Sequence, residues 1–215
     1  MSLPRENTMP ALSPLPQQNS PQPRTSGRLR AQPVAVSDPR RAETEAFIQA
    51  VFQNRYGAQV PRFAPQLLRL EQDSRIVAAA GWRGAGDEAL YLERYLDAPV
   101  EAHIRHLAGQ EVTRMHIAEV GNLATVRSGA GVRMVFFLAQ QLHRNGFDWV
   151  VFTATSELIG ILTRMGMPPL ALQLADPDRL GDEALAWGRY YETRPVVVAG
   201  RIRQALSRAT CEEEN

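Results

Sequence analysis

Residues 117–145, IAEVGNLATVRSGAGVRMVFFLAQQLHRN, constrain the chain most. A β-type stretch runs into a short turn holding Gly129 and Gly131, and Val132, Val135, Phe136, Ala139 and Leu142 then recur at helical spacing until Gly146. The pattern predicts a strand over 116–123 and a helix over 129–145, with the first N–H groups of the helix pointing out of the turn. Such a terminus binds anions. The two glycines either let a phosphate approach the backbone or simply permit a tight turn, and their spacing matches neither GxGxxG nor the Walker loop.

The remaining elements are read as packing around this unit. Residues 1–36 carry Pro4, Pro10, Pro14, Pro16, Pro21, Pro23 and Pro33 among Ser, Gln and Arg, and read as a disordered arm. A helix follows from Ser37 or Asp38 with Pro39 to Tyr56 and Gly57. Segments 67–70 and 76–82 form an antiparallel hairpin, LYLERYL (90–96) a third strand, and Asp97 with Pro99 caps a short helix reaching Leu107. After the central unit, DWVVFT is a buried strand, Ser156 caps a helix ending at Gly166, residues 170–174 and 186–191 are strands, and 198–207 is a final helix. The expected domain spans 37–207, followed by an acidic tail, 208–215. This order argues for an α/β fold: a mixed, mostly antiparallel sheet with helices on both faces.

Composition removes several chemistries. All 24 Lys+Arg residues are arginine, so the chain by itself has no lysine for a Schiff base, a phosphate loop or a kinase site. A net charge of +1 without a basic run leaves no footprint for nucleic acid. The only cysteine, Cys211, allows neither an intramolecular disulfide nor a multi-cysteine metal site. His103 and His106 lie three apart but lack further ligands of telling spacing, so no metal is assigned. The N-terminus shows no secretory apolar run, and no segment is apolar enough to span a bilayer, so a cytoplasmic setting is expected.

The order of strand, glycine turn, long helix, strand, helix and MGMPPL resembles the GCN5-related N-acetyltransferase fold, in which that turn holds the pyrophosphate of coenzyme A. That family's turn reads Arg or Gln, two residues, Gly, one residue, then Gly or Ala; here Val126 occupies the basic or amide position and Arg127 is displaced by one. More specifically, ERYLDAPVE (93–101), EVGNLA (119–124), WVVFTAT (149–155) and WGRYY (187–191) resemble the bacterial thermostable hemolysin family, over about residues 44–206. That family is distantly similar to acyl-homoserine-lactone and N-acyl amino acid synthases. The resemblance implies an acyltransferase moving a fatty acyl group from acyl-CoA or an acyl carrier protein to a small amine or amino acid. The donor is a substrate, and no cofactor is permanently bound.

Amine acylation requires a base for the acceptor, donors for the developing oxyanion, and stabilisation of the leaving thiolate. Glu119 is the leading base, directly or through water, with an ion-paired strand residue as the plainer reading. The resemblance implies that backbone N–H groups at Asn122, Leu123 and Ala124 polarise the thioester carbonyl and that the Asn122 side chain orients it. Arg127, Gly129, Gly131 and Arg133 would bind the donor's phosphates. The tyrosine acid that many acetyltransferases carry after this strand is replaced by Leu162. Tyr190 and Tyr191 are substitutes or packing residues, and Glu93, Asp97 and Glu101 form an acidic group suited to an acceptor ammonium. Two other readings stand beside the enzyme: a direct membrane-damaging protein, for which no strongly basic amphipathic helix speaks, and a catalytically silent acyl-thioester-binding module.

Overall fold

The computed structural model describes residues 28–126 and 129–213. Most of the predicted arm, Arg127 and the last two residues of the acidic tail therefore lie outside the described residues. The elements are β1 (Arg30–Val34), α1 (Arg41–Tyr56), β2 (Gln66–Gln72), β3 (Arg75–Gly84), α2 (Val100–Ala108), β4 (Ile117–Thr125), α3 (Ala130–Arg144), β5 (Trp149–Ala154), α4 (Ser156–Arg164), β6 (Leu170–Leu174), β7 (Val196–Arg201) and α5 (Ile202–Glu213). Short 3₁₀ segments occupy Tyr91–Tyr95, Arg114–His116, Pro177–Trp187 and Tyr190–Thr193.

The strands form one seven-stranded sheet in the order β1-β2-β3-β4-β5-β7-β6. Only β4 and β5 run parallel. The expected mixed, mostly antiparallel sheet is therefore present, and alternation along each strand sends side chains to opposite layers. Leu68 and Leu70 of β2 join Met134, Phe136 and Leu142 of α3 and Ile202 of α5 on one face. Leu67 points the other way, toward Val34, Ile48 and Phe52 under α1. On that second face, Val100 and Ile104 of α2 pack with Ile117, Trp149, Val151 and Val197.

Several boundaries differ from the sequence reading. Arg30–Val34, placed in the arm, pairs antiparallel with β2, and Pro33 is accommodated because β1 is an edge strand. LYLERYL is a 3₁₀ turn, because the N–H groups of Tyr91 and Leu92 bond the Glu119 carboxylate. Residues 186–191 are likewise 3₁₀ segments around Gly188, not a strand. The helix read at 198–207 divides into the end of β7 and the start of α5, which runs through most of the expected acidic tail. Thr155, not Ser156, caps α4, its hydroxyl accepting from Leu158 N. Asp97 does not cap α2; the Val100 N–H donates to Glu93 Oε1 at 3.1 Å.

Candidate active site

The site originates where β4 and β5 part. Their ladder joins only Ile117, Ala118 and Glu119 to Trp149, Val150 and Val151. Beyond it β4 continues to Thr125, while Phe152, Thr153 and Ala154 pair with β7 alone. On its other edge β4 bulges: Ala79 faces Ala124 and Gly81 faces Gly121, so Asn122 and Leu123 stand opposite the single Ala80. Asn122 takes φ +53°, a left-handed conformation that asparagine tolerates better than most residues. Its Oδ1 accepts from Ala64 N at 2.9 Å and its Nδ2 donates to Arg62 O at 3.3 Å, fixing the loop before β2.

A cavity of about 550 Å³ fills the opening. Glu119, Asn122, Leu123, Gly129 and Gly131 all line it, so these sequence-predicted residues are brought together. Ala124, the remaining β4 position, is buried against the α1 layer. Gly129 caps α3 at φ +84°, where a side chain would be strained, and the helix's first turn closes with Arg133 N donating to Gly129 O. Arg133 itself is exposed and Val126 stands 59% exposed at the cavity rim.

Glu119 is 7% exposed. Its Oε2 accepts from Tyr91 N at 2.8 Å and Oε1 from Leu92 N at 3.1 Å, and Arg83 Nε lies 3.4 Å from Oε2. Burial raises the Glu119 pKa, and Arg83 and the two N–H groups only partly oppose it. The same carboxylate therefore fixes the 3₁₀ turn Tyr91–Tyr95 and retains an elevated proton affinity, the property required of a general base.

Glu93, Asp97 and Glu101 do not line the cavity. Arg114 binds Glu93 at 2.5 and 2.7 Å and Glu101 at 2.9 Å. Burial raises the Glu93 pKa, but Arg114 and the N–H groups of Val100 and Leu90 outweigh it and hold the group below its ordinary value. Asp97 pairs with Arg179 and accepts from Gln173 Nε2 at 3.0 Å. These three carboxylates are thus occupied in holding α2 and the Pro177–Trp187 segment. Among the described residues no cluster of metal-ligating side chains occurs.

Reading the sequence missed the aromatic wall of the cavity. Tyr91, Tyr95 and Trp187 join Tyr190 and Tyr191 there, together with Phe52 and Tyr56 of α1. The tyrosines and tryptophan sit in the two blocks first read as strands, and 3₁₀ geometry is what turns them inward. Leu162 of α4, standing at the usual tyrosine position, is buried and contributes an apolar floor.

A parallel β4–β5 pair that splays, a glycine turn and a helix after it define the GCN5-related N-acetyltransferase-like fold. The chain belongs to the thermostable hemolysin family, whose model matches residues 34–206. No curated protein sequence matches it. Among solved structures, the acyl-homoserine-lactone synthase LasI superposes with TM-score 0.56 at 13% identity, over 84% of this chain and 95% of that one. FeeM, an N-acyl amino acid synthase from uncultured soil microbes, gives TM-score 0.56 at 12% identity over 84% and 94%. The CoA-dependent acyl-homoserine lactone synthase MesI gives 0.53 at 12% over 83% and 92%. At these identities the likeness is one of fold.

Proposed function

We propose that the protein is a cytoplasmic acyltransferase that moves a fatty acyl group from acyl-CoA or an acyl carrier protein to a small amine or amino acid. The observation that carries this reading is the convergence of the glycine turn, the Asn122 bulge and the buried Glu119 on one cavity at the β4–β5 divergence. Gly131 adds support: among the described residues a Cβ there would meet only Thr125 Cγ2 at 3.7 Å, so none of them requires glycine. Glycine inside a helix costs about 1 kcal/mol relative to alanine, and close approach of a donor phosphate accounts for it.

A second, apolar cavity of about 90 Å³ between α3, α4, α5 and the sheet shares the walls Val120, Leu123, Val135, Phe152, Leu158 and Leu162 with the first. It suits an alkyl chain rather than an acetyl group. In the reaction, Glu119 takes a proton from the acceptor amine, the amine nitrogen bonds to the thioester carbon, and the C–S bond breaks with its electron pair leaving on sulfur; the thiolate is protonated from solvent to the free thiol, and Glu119 returns its proton to solvent. Backbone N–H groups at the Asn122–Leu123 bulge stabilise the oxyanion. The donor phosphates lie against Gly129 and Gly131 and pair with Arg133 and with Arg127, the latter outside the described residues. Glu93, Asp97 and Glu101, tied to arginines, act at a distance from the reacting atoms.

Hemolysis, which the family description names, follows on this reading from the surface activity of an N-acyl product. Purified protein incubated with a long-chain acyl-CoA and a mixture of amines should yield an N-acyl amide and free CoA. Saturable donor binding with no turnover would identify a silent binding module instead. Lysis of liposomes without donor would favour direct membrane damage.

A further inference from the structure

We propose that Tyr91, Tyr95, Tyr191, Tyr190 and Trp187, which close into a ring of aromatic contacts on the wall holding Glu119, form the acceptor pocket and select amines bearing an aromatic or large apolar group. This inference rests on the acyl-transfer reading.

The contacts form a circuit. Successive ring centroids lie 6.3 Å apart for Tyr91–Tyr95, 6.5 Å for Tyr95–Tyr191, 5.3 Å for Tyr191–Tyr190, 5.7 Å for Tyr190–Trp187 and 6.2 Å for Trp187–Tyr91. All five line the main cavity, and the circuit is attached to Glu119 through the Tyr91 N–H bond of 2.8 Å. Four of the five side chains are only half-buried, so the cluster is not closed as a packing core would be.

The polar tips are engaged with one another and with Glu183 and Thr153. Trp187 Nε1 donates to Tyr91 Oη at 3.1 Å, Tyr91 Oη donates to Glu183 at 2.8 Å, the Tyr95 and Tyr191 hydroxyls share a bond of 2.6 Å, and Tyr190 Oη donates to Thr153 at 3.2 Å. The Tyr95–Tyr191 bond uses one of its two hydroxyl protons, so the wall offers mainly ring faces and edges, with a single hydroxyl donor left over. Aromatic and branched aliphatic groups gain by burial against such a surface, whereas a hydroxylated group exchanges its water partners for fewer on the wall.

The ring is also held rigidly. Gly188 adopts φ +53°, and a Cβ there would lie 2.3 Å from Tyr56 O. Gln59 N donating to Ala186 O at 2.7 Å and Arg189 N to Tyr56 O at 2.8 Å fix Trp187 and Tyr190 against the end of α1, with room at Gly188 for glycine alone.

Equilibrium binding of phenethylamine, isoamylamine, ethanolamine and tetramethylammonium to the full chain, with and without saturating CoA, tests the pocket directly. Phenethylamine and isoamylamine should bind at least about tenfold more tightly than ethanolamine, the scale of hydrophobic-pocket discrimination. Trp187→Phe should weaken the apolar amines several-fold, with an unchanged far-ultraviolet spectrum. Equal affinities across the series, or tetramethylammonium binding best, would overturn the assignment whatever the variant does. Turnover that accepts every amine alike would sink the pocket and leave acyl transfer standing. Selective amine binding without thioester turnover would support the pocket and remove only the transfer.

Discussion

Arg83 and Glu119 stand opposite each other on β3 and β4, Arg83 Nε 3.4 Å from Glu119 Oε2, at the base of the cleft where β4 leaves β5. Arg83 also reaches Glu88 at 3.4 Å, so one guanidinium serves two carboxylates of unequal burial. Glu119 is the buried member, and on the proposed mechanism its protonation sets turnover.

Glu119→Gln should reduce acyl transfer by about 10²- to 10⁴-fold, the usual contribution of a general base. It should also cost about 1–3 kcal/mol, because the carboxamide oxygen and nitrogen cannot both accept the two backbone N–H bonds and Arg83 is left with Glu88 alone. Thioester turnover and urea unfolding of the same preparation separate the two effects. Retained turnover in a folded variant would remove Glu119 from the chemistry.

The pH dependence follows from the same carboxyl. Its folded-state pKa lies above the ordinary 4.5, with burial the largest cause. The folded protein therefore holds that proton more tightly than the unfolded chain. The stabilisation is complete below 4.5 and is lost as pH rises through the elevated folded value. Denaturant unfolding across that window should show a steeper loss of stability for the wild type than for Glu119→Gln, and turnover should rise over the same interval. Parallel profiles would contradict the shift.

Gly131→Ala should separate donor binding from folding. Among the described residues the new methyl meets only Thr125 Cγ2 at 3.7 Å, so the fold should gain about 0.5–1 kcal/mol from helix propensity while acyl-CoA affinity falls. A thermal-shift titration reads both quantities at once. Unchanged donor affinity would mean that the glycine serves no ligand.

Much of the central unit was legible because period-2 and period-3.6 patterns meet at a glycine turn, and the strand read at 170–174 coincides with β6. The acidic group was not. Glu93, Asp97 and Glu101 are spaced like one recognition face, but their partners Arg114 and Arg179 lie far along the chain, at separations of 21 residues for Glu93 and 82 for Asp97. LYLERYL alternates like a strand, and only a carboxylate 28 residues beyond Tyr91 turns it into 3₁₀ geometry. β1 was hidden because five residues of strand sit at the end of a proline-rich stretch whose average composition outweighs them.

Gly188→Ala should be among the most disruptive single-methyl additions. The residue has a positive φ, and an added Cβ would lie 2.3 Å from Tyr56 O; the backbone strain alone costs about 1–3 kcal/mol before the clash is counted. Thermal unfolding should shift down by several degrees, with changed Trp187 fluorescence. An unperturbed melting temperature would contradict the close packing of this loop on α1.

Ala139→Leu tests the apolar cavity. Ala139 is buried on α3 and lines that space, so the larger side chain should lower turnover with long-chain donors more than with short ones. Overpacking should cost about 1–3 kcal/mol. A uniform loss across chain lengths would place the alkyl group elsewhere.

The most direct measurement is mass spectrometry of purified wild type and Glu119→Gln incubated with a long-chain acyl-CoA and an equimolar amine mixture. The account predicts an N-acyl amide and stoichiometric free CoA from the wild type, and loss of both from the folded variant. Absence of product together with no donor-dependent stabilisation of the wild type would contradict it.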